Sequence, residues 1–334
     1  MRNNGTGMMG VVIPDETEAC AEGYGGEAAE NEALVGENIA HNGYHDGILA
    51  NEKVEKAIAL SNRKRIFGIL SDETEVVRLM AKIIAIANQK GGVGKTTTTI
   101  NLGAYLAANN RRVLIVDLDP QGNTSSGLGI SSDELSGDLY DVLMDGVAVA
   151  AVARETAIKG LHVLPASPVL AAAEVELVAV PQREFKLKQA LSEVPYDYVL
   201  IDCPPSLGIL TVNGLVAGHE LIIPVQAEFY ALEGLGHLVQ TVQRVRRSLN
   251  PDLGLMGVLV TMHNGRTSLS TQVHDEVKRH FPDKVFDTVI PRNVRLAEAP
   301  SFGKSIMHYD GWSKGARSYK ALAKEVEKRS GVKK

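Results

Sequence analysis

From Lys82 onward the chain alternates short apolar runs with longer amphipathic stretches. Strand-length runs occupy residues 83–87, 112–117, 161–165, 198–202, 220–225, 253–262 and 284–290. Helix-length segments lie between or beside them at 98–108, 207–217, 232–249 and 268–280. Several runs, such as Val113-Leu114-Ile115-Val116, are apolar at every position. Side chains of a strand point alternately to opposite faces, so a strand apolar throughout predicts a sheet covered on both sides. The alternation of β and α predicts an α/β fold: a doubly wound, mostly parallel sheet with helices on both faces. Ligands in such folds bind outside the carboxyl ends of the strands. The segment 131–159 has no clear period and reads as helical excursions.

The first 50 residues behave differently. They are rich in Gly, Glu, Asn and Ala and poor in large apolar side chains. Too little apolar surface is available to offset ordering entropy, so residues 1–50 are predicted to be a disordered acidic tail. Residues 51–79 carry some helical spacing (Val54 and Ile58; Ile66, Ile69 and Leu70), enough for one or two short helices or a linker. Residues 80–334 are the expected folded domain.

The chemistry is concentrated at the ends of the apolar runs. Lys90-Gly91-Gly92-Val93-Gly94-Lys95-Thr96-Thr97 follows the first run and opens into the first helix. A strand, a glycine-rich turn and a helix N-terminus together form an anion site, because backbone N–H groups converge and the helix dipole favours negative charge. Lys95 supplies a point charge for the outer phosphates of a nucleoside triphosphate, and the Thr96 hydroxyl is placed to ligate Mg²⁺. The common P-loop pattern has Gly where this chain has Gln89, and a second lysine, Lys90, follows. Two further motifs also sit at strand ends. Asp117-Leu118-Asp119-Pro120-Gln121-Gly122-Asn123 closes the second run; one of its acids can equally serve as a turn cap. Tyr198-Val199-Leu200-Ile201-Asp202 ends in a carboxylate suited to holding Mg²⁺ through water, and Pro204-Pro205-Ser206 follows it.

Composition narrows the alternatives. The formal net charge of −5 is uneven: residues 1–79 hold 7 basic and 14 acidic side chains, leaving the rest with 28 and 26. The acidic tail and the mildly basic body are therefore read separately. The two cysteines, Cys20 and Cys203, exclude a disulfide framework and fit a reducing cytoplasm. No apolar run approaches the ~18 residues of a membrane span. His41 and His45 lack further ligands nearby and do not read as a metal site.

The two-lysine P-loop, Asp117–Asn123, Asp202-Cys203-Pro204-Pro205-Ser206 and Pro291-Arg292-Asn293-Val294-Arg295-Leu296-Ala297-Glu298-Ala299-Pro300-Ser301 together resemble the ParA/MinD family of ATPases, and its ParA/Soj branch in particular. The resemblance covers nearly the whole of 80–334. It implies an ATPase using ATP and Mg²⁺, in which Lys90 reaches across an ATP-dependent homodimer. It further implies that Asp119 orients the attacking water and Asp117 supports the Mg²⁺ shell. Adenine recognition falls around Pro291 and Asn293, and sequence-independent DNA contacts at Arg266 and Arg295. Arg244, Arg246, Arg247 and Lys304 are weaker candidates for the same surface. The partners so implied are nucleoid DNA and a ParB-type centromere-binding protein, and the location is cytoplasmic and nucleoid-associated. Met80-Ala81-Lys82-Ile83-Ile84 resembles the start of short ParA-type proteins, so translation from Met80 is one reading of the tail and a partner-docking arm is another. The alternative function is that of a MinD-like membrane-associated ATPase that positions cell division. Such proteins end in an amphipathic membrane helix, whereas residues 321–334 offer Leu322 and Val326 but no aromatic anchor. A metal-cluster carrier of the same fold needs bridging cysteines, which Cys203 alone does not supply. Residues 51–79 are too short for the helix-turn-helix of the larger plasmid partition proteins.

Overall fold

The computed structural model describes residues 81–228 and 233–332, so the expectations for residues 1–80 lie outside the described residues. Seven strands make one sheet: β1 (Lys82–Ile86), β2 (Val113–Asp117), β3 (Arg154–Glu155), β4 (Leu161–Leu164), β5 (Tyr198–Asp202), β6 (Glu220–Gln226) and β7 (Gly254–Thr261). Their spatial order is β3-β4-β2-β5-β1-β6-β7. All pairs are parallel except β3–β4 at the edge. The chain winds outward in both directions from the β5–β1 pair, so β1, β2 and β5 end side by side at a topological switch point. The register makes this concrete: Asp202 is level with Ile86 on one side and with Asp117 on the other.

The longer helices are α1 (Lys95–Ala108), α2 (Ile209–Ala217), α3 (Glu233–Ser248), α4 (Ser268–His280) and α5 (Lys314–Ser330). The strand alternation sorts the core into two layers. Ile83, Ala85, Leu114, Val116, Val199 and Ile201 join Leu210 and Leu215 of α2 and Leu235 and Leu238 of α3. Their neighbours Ile84, Ile86, Val113, Ile115, Tyr198 and Leu200 join Ile100, Leu102 and Leu106 of α1 and Tyr319, Leu322 and Val326 of α5. Each Leu or Ile buried in this way contributes roughly 1.5–3 kcal/mol of transfer free energy. Gly103 lets α1 lie close to the sheet, since a Cβ there would stand 2.8 Å from Ile115 Cδ1. The apolar face of α5 is thus consumed inside the domain. No helix among the described residues is long and apolar enough to cross a membrane.

Two expectations are corrected. Residues 284–290 do not form a strand. They touch β7 through an isolated bridge, Val258 with Val285, and a few backbone bonds. The backbone N–H groups of Asp287 and Thr288 instead donate to the Glu325 carboxylate of α5 at 2.9 and 3.0 Å, and the apolar run is diverted from the ladder. In the segment 131–159, helices at Leu139–Met144 and Val149–Val152 match the expected excursions, but the short antiparallel strand β3 was not anticipated. The first of these helices begins at a capping box, with Asp138 accepting from Tyr140 N–H and Asp141 accepting from Asp138 N–H.

Candidate functional site

The phosphate-binding loop runs from the end of β1 into α1. Gly92 and Gly94 have φ of 73° and 92°, the left-handed region that side chains resist. A Cβ at Gly91 or Gly92 would meet no atom within 4 Å, so the loop backbone faces open space. The loop is pinned from both sides. Asn88 Nδ2 donates to the Pro224 carbonyl of β6 at 2.7 Å, while Asn88 Oδ1 accepts from Lys90 N–H. Thr261 Oγ1, at the end of β7, donates to the Val93 carbonyl at 2.7 Å. Lys95 is buried, and its Nζ lies 3.5 Å from the Lys90 carbonyl. Burial lowers the pKa of its ammonium, opposed by the negative charge of Asp202. A buried cation under an open ring of backbone amides is the donor set a polyphosphate requires.

Asp202 is the hub of the site. Its Oδ2 accepts from the hydroxyls of Thr96 and Thr124, each at 2.7 Å, and its Oδ1 from Thr99 at 3.3 Å. Burial nevertheless raises its pKa to about 6, with the threonine hydroxyls acting in the opposite direction. Asp117, level with it on β2, accepts at Oδ2 from the Ser125 backbone N–H and hydroxyl at 2.8 and 2.6 Å. Its Oδ1 is buried without a hydrogen-bond partner. Burial first, and then the neighbouring Asp202, push Asp117 up to about 7. Asp119 sits two residues further on, buried, with Oδ1 accepting from Gln121 N–H. The turn-cap role that one of the two acids was able to play therefore falls to Asp119 through one oxygen. The residues present fit a hydrated Mg²⁺: hard oxygen donors, an orphaned carboxylate oxygen and a threonine hydroxyl already directed at Asp202. Among the described residues no group of three or more His, Cys, Asp or Glu forms an all-protein ion cage.

The remaining sequence-predicted residues lie elsewhere. Thr97 is half-buried on the first turn of α1, where its carbonyl accepts from Asn101 Nδ2. Ser206 is exposed, and its hydroxyl lies 3.5 Å from Glu174. Cys203 is buried, with its thiol pKa raised by burial, and packs as a small apolar filler. Pro291 pairs in an isolated parallel bridge with His263, just past the end of β7, and lines an open cavity of about 380 Å³ with His263, Val289, Lys314, Arg317 and Ser318. No residue of the phosphate-binding loop lines that cavity. Asn293 Oδ1 accepts from Arg295 N–H and so caps the helix Val294–Glu298. Arg295 is exposed, with Nη1 2.9 Å from Glu298 and Nε 3.6 Å from Asp310. Arg266 is exposed in the turn before α4, its backbone N–H held by Asn264 Oδ1.

Sequence reasoning missed Asn88, Thr99, Thr124, Ser125 and Thr261. Thr99 was within reach, since it lies one helical turn after Lys95 on α1. Thr124 and Ser125 depend on the turn after Asp119 folding back on Asp202 and Asp117, and Thr261 on β7 closing beside the loop. Local spacing carries no signal for either.

A family model described as an AAA domain matches residues 81–255. The chain is 57% identical over 249 residues to the sporulation initiation inhibitor protein Soj of Bacillus subtilis (strain 168), covering 74% of this chain and 98% of that relative. It is 51% identical over 252 residues to the chromosome partitioning protein ParA of Myxococcus xanthus (strain DK1622), covering 75% and 89%. Among solved structures, the cobyrinic acid a,c-diamide synthase of Mycobacterium smegmatis with bound ADP and magnesium aligns with a TM-score of 0.66 at 40% identity, over 75% of this chain and 97% of that one. The chain belongs to the Soj/ParA family of chromosome-partitioning ATPases.

Proposed function

We propose that this chain is an ATP-dependent dimerising ATPase that binds DNA without sequence preference and moves chromosomal or plasmid cargo with a ParB-type partner. The observation that carries the reading is the convergence of Thr96, Thr99 and Thr124 on Asp202 behind an open loop with Lys95 at its base. In this reading Gly91, Gly92, Val93, Gly94, Lys95, Thr96 and Thr97 cradle the phosphates of ATP, while Pro291 and Asn293 recognise its adenine. Thr96 and Asp202 hold Mg²⁺, with Asp117 behind them. When bound, the ion neutralises charge on the phosphate oxygens. Asp119 orients the attacking water, a task of positioning more than of proton transfer. Lys90 completes the site of a second copy, which makes the dimer depend on ATP. Arg266 and Arg295 touch phosphates, so DNA affinity is sensitive to salt and indifferent to sequence. Pairing two weak basic faces in one dimer raises avidity without new contacts. The partner accelerates hydrolysis and releases the dimer from the nucleoid, which places the protein in the cytoplasm, cycling on and off DNA. Residues 80–334 perform this cycle. The burial of Leu322 and Val326 in the core leaves α5 no apolar face for a bilayer and disfavours the membrane-associated alternative.

The test is binding to random-sequence duplex DNA with ATP, with ADP and without nucleotide, at low and moderate salt. Tight, salt-sensitive binding with ATP alone is expected. ATP turnover without DNA binding in any state would overturn the nucleoid reading, and binding of the ATP form to anionic vesicles would replace it with the membrane one.

A further inference from the structure

Trp312 is the only tryptophan of the chain, and its side chain is 91% exposed. It stands in the turn between the helix Ile306–Asp310 and α5. That turn is pinned: Ser313 N–H donates to the Asp310 carbonyl, and Ser313 Oγ accepts from Ala316 N–H to cap α5. The indole is therefore held out by ordered backbone. Nearby, Phe302 stacks on Tyr309 with ring centres 5.1 Å apart and is itself 62% exposed. Tyr309 Oη donates to Glu298, which also takes Arg295, and Asp310 takes the other side of Arg295.

The charge around this ring is positive although the chain is negative overall. Residues 291–317 contain five Arg or Lys and two acids, Glu298 and Asp310. Both acids are occupied by Arg295, and Arg292 is paired with Glu228 from outside the segment, so the free positive charge rests on Lys304, Lys314 and Arg317, which among the described residues have no ion-pair partner. A partner for this face must be anionic and must also offer flat apolar surface to an indole. Single-stranded nucleic acid has both, since phosphates track cations while every base has a π-face for stacking. A bilayer is anionic too, but it takes an amphipathic helix along its length, whereas the exposed apolar residues of this face, Val294, Phe302 and Trp312, stand on separate short elements. The bases of an intact duplex are stacked on each other, so a ring projecting from a turn meets unpaired bases most readily.

We propose that Trp312 is a base-stacking residue and that the face formed by residues 291–317 binds single-stranded DNA, with the unpaired Lys304 and Lys314 on the phosphates. This rests on the DNA-binding reading above and extends it to a specific nucleic-acid form. Because Trp312 is the sole tryptophan, intrinsic fluorescence reports on it directly. Titration of the full chain with a short oligothymidylate in the presence of ATP should quench the emission to saturation. Trp312→Ala should weaken oligothymidylate binding by about tenfold or more while leaving duplex binding nearly unchanged. Trp312→Phe should retain most of the affinity and Trp312→Leu little of it. The salt dependence of binding should be unaltered by Trp312→Ala, whereas Lys304→Ala should reduce the log–log slope by about 0.7. Duplex binding with an unquenched ring and an unaffected Trp312→Ala variant would overturn the stacking proposal alone. Quenching by ATP before any DNA is added would mean that a second copy covers the ring, and quenching by anionic vesicles but not by DNA would mean a membrane; either overturns it. No binding to duplex or single strand in any nucleotide state would overturn both readings.

Discussion

The carboxyl ends of β1, β2 and β5 and the face formed by residues 291–317 both carry residues singled out by the sequence, yet they are built by opposite rules. At the strand ends the chemistry is buried and, apart from Asp117 Oδ1, satisfied from within: Asp202 takes three threonine hydroxyls, Asp117 Oδ2 takes Ser125, and Asn88 and Thr261 clamp the loop. On the other face Arg295 is tied only to two exposed or half-exposed acids, while Lys304 and Trp312 face solvent. Buried polar groups must find partners or cost stability, so the first region is over-determined by its own hydrogen bonds. Solvent satisfies the second, and only an external partner gives it energetic meaning. Substitutions in the first region should therefore alter chemistry and folding together, and substitutions in the second should alter binding alone.

The largest expected effect is that of Lys95→Ala. It removes the buried cation under the loop and should abolish ATP binding and every ATP-dependent behaviour, as read by nucleotide titration; retained affinity within tenfold would detach Lys95 from the phosphates. Asp119→Ala should lower ATP turnover by about 100-fold or more while leaving nucleotide binding intact, trapping the ATP dimer on DNA. An Asp119 variant that hydrolyses ATP at the normal rate would refute its assignment as the water-orienting residue. Arg295→Glu should reduce DNA affinity by about tenfold or more and flatten its salt dependence, with ATP-driven dimerisation and thermal stability unchanged. A loss of stability in that variant would erase the contrast between the two regions.

The smallest effect sharpens the comparison through pH. Asp117 and Asp202 have folded-state pKa values raised to about 7 and about 6, above those of an unfolded carboxylate. The folded chain thus holds protons that the unfolded chain has released between about pH 4 and pH 7. The contribution of these two groups is fully present below pH 4 and is lost as pH rises through their folded values. Asp117→Asn keeps an acceptor for Ser125 and removes the proton. Relative to wild type without nucleotide, its stability should fall less between pH 4.5 and 7 in urea unfolding. Parallel curves would show that Asp117 does not titrate in that window.

Legibility in the sequence followed the same divide. The strand ends announced themselves because the motif and the element boundary coincide: apolar run, turn, Lys95 and Thr96; apolar run, Asp117 and Asp119; apolar run, Asp202. Thr124 and Thr261 were invisible because their roles depend on contacts with Asp202, 78 residues away, and Val93, 168 residues away. The misread run at 284–290 has the same cause, since its backbone donors are claimed by Glu325 on a distant helix. Trp312 carried no recognisable signal, because exposure is not a property of local sequence.

Strand-length runs that are apolar at every position determined by themselves that the sheet is covered on both faces, since burial of both faces of a strand leaves no polar position in it. The glycine-rich turn and its lysines likewise determined that an anion site opens α1, because backbone conformation and charge there are local. Tertiary structure alone decided the order of the strands, and with it that Asp117 and Asp202 stand level and that three threonines share one carboxylate. It also decided that the last helix faces inward and Trp312 outward. Those outcomes arise from packing between segments far apart in the chain, where no local preference reaches.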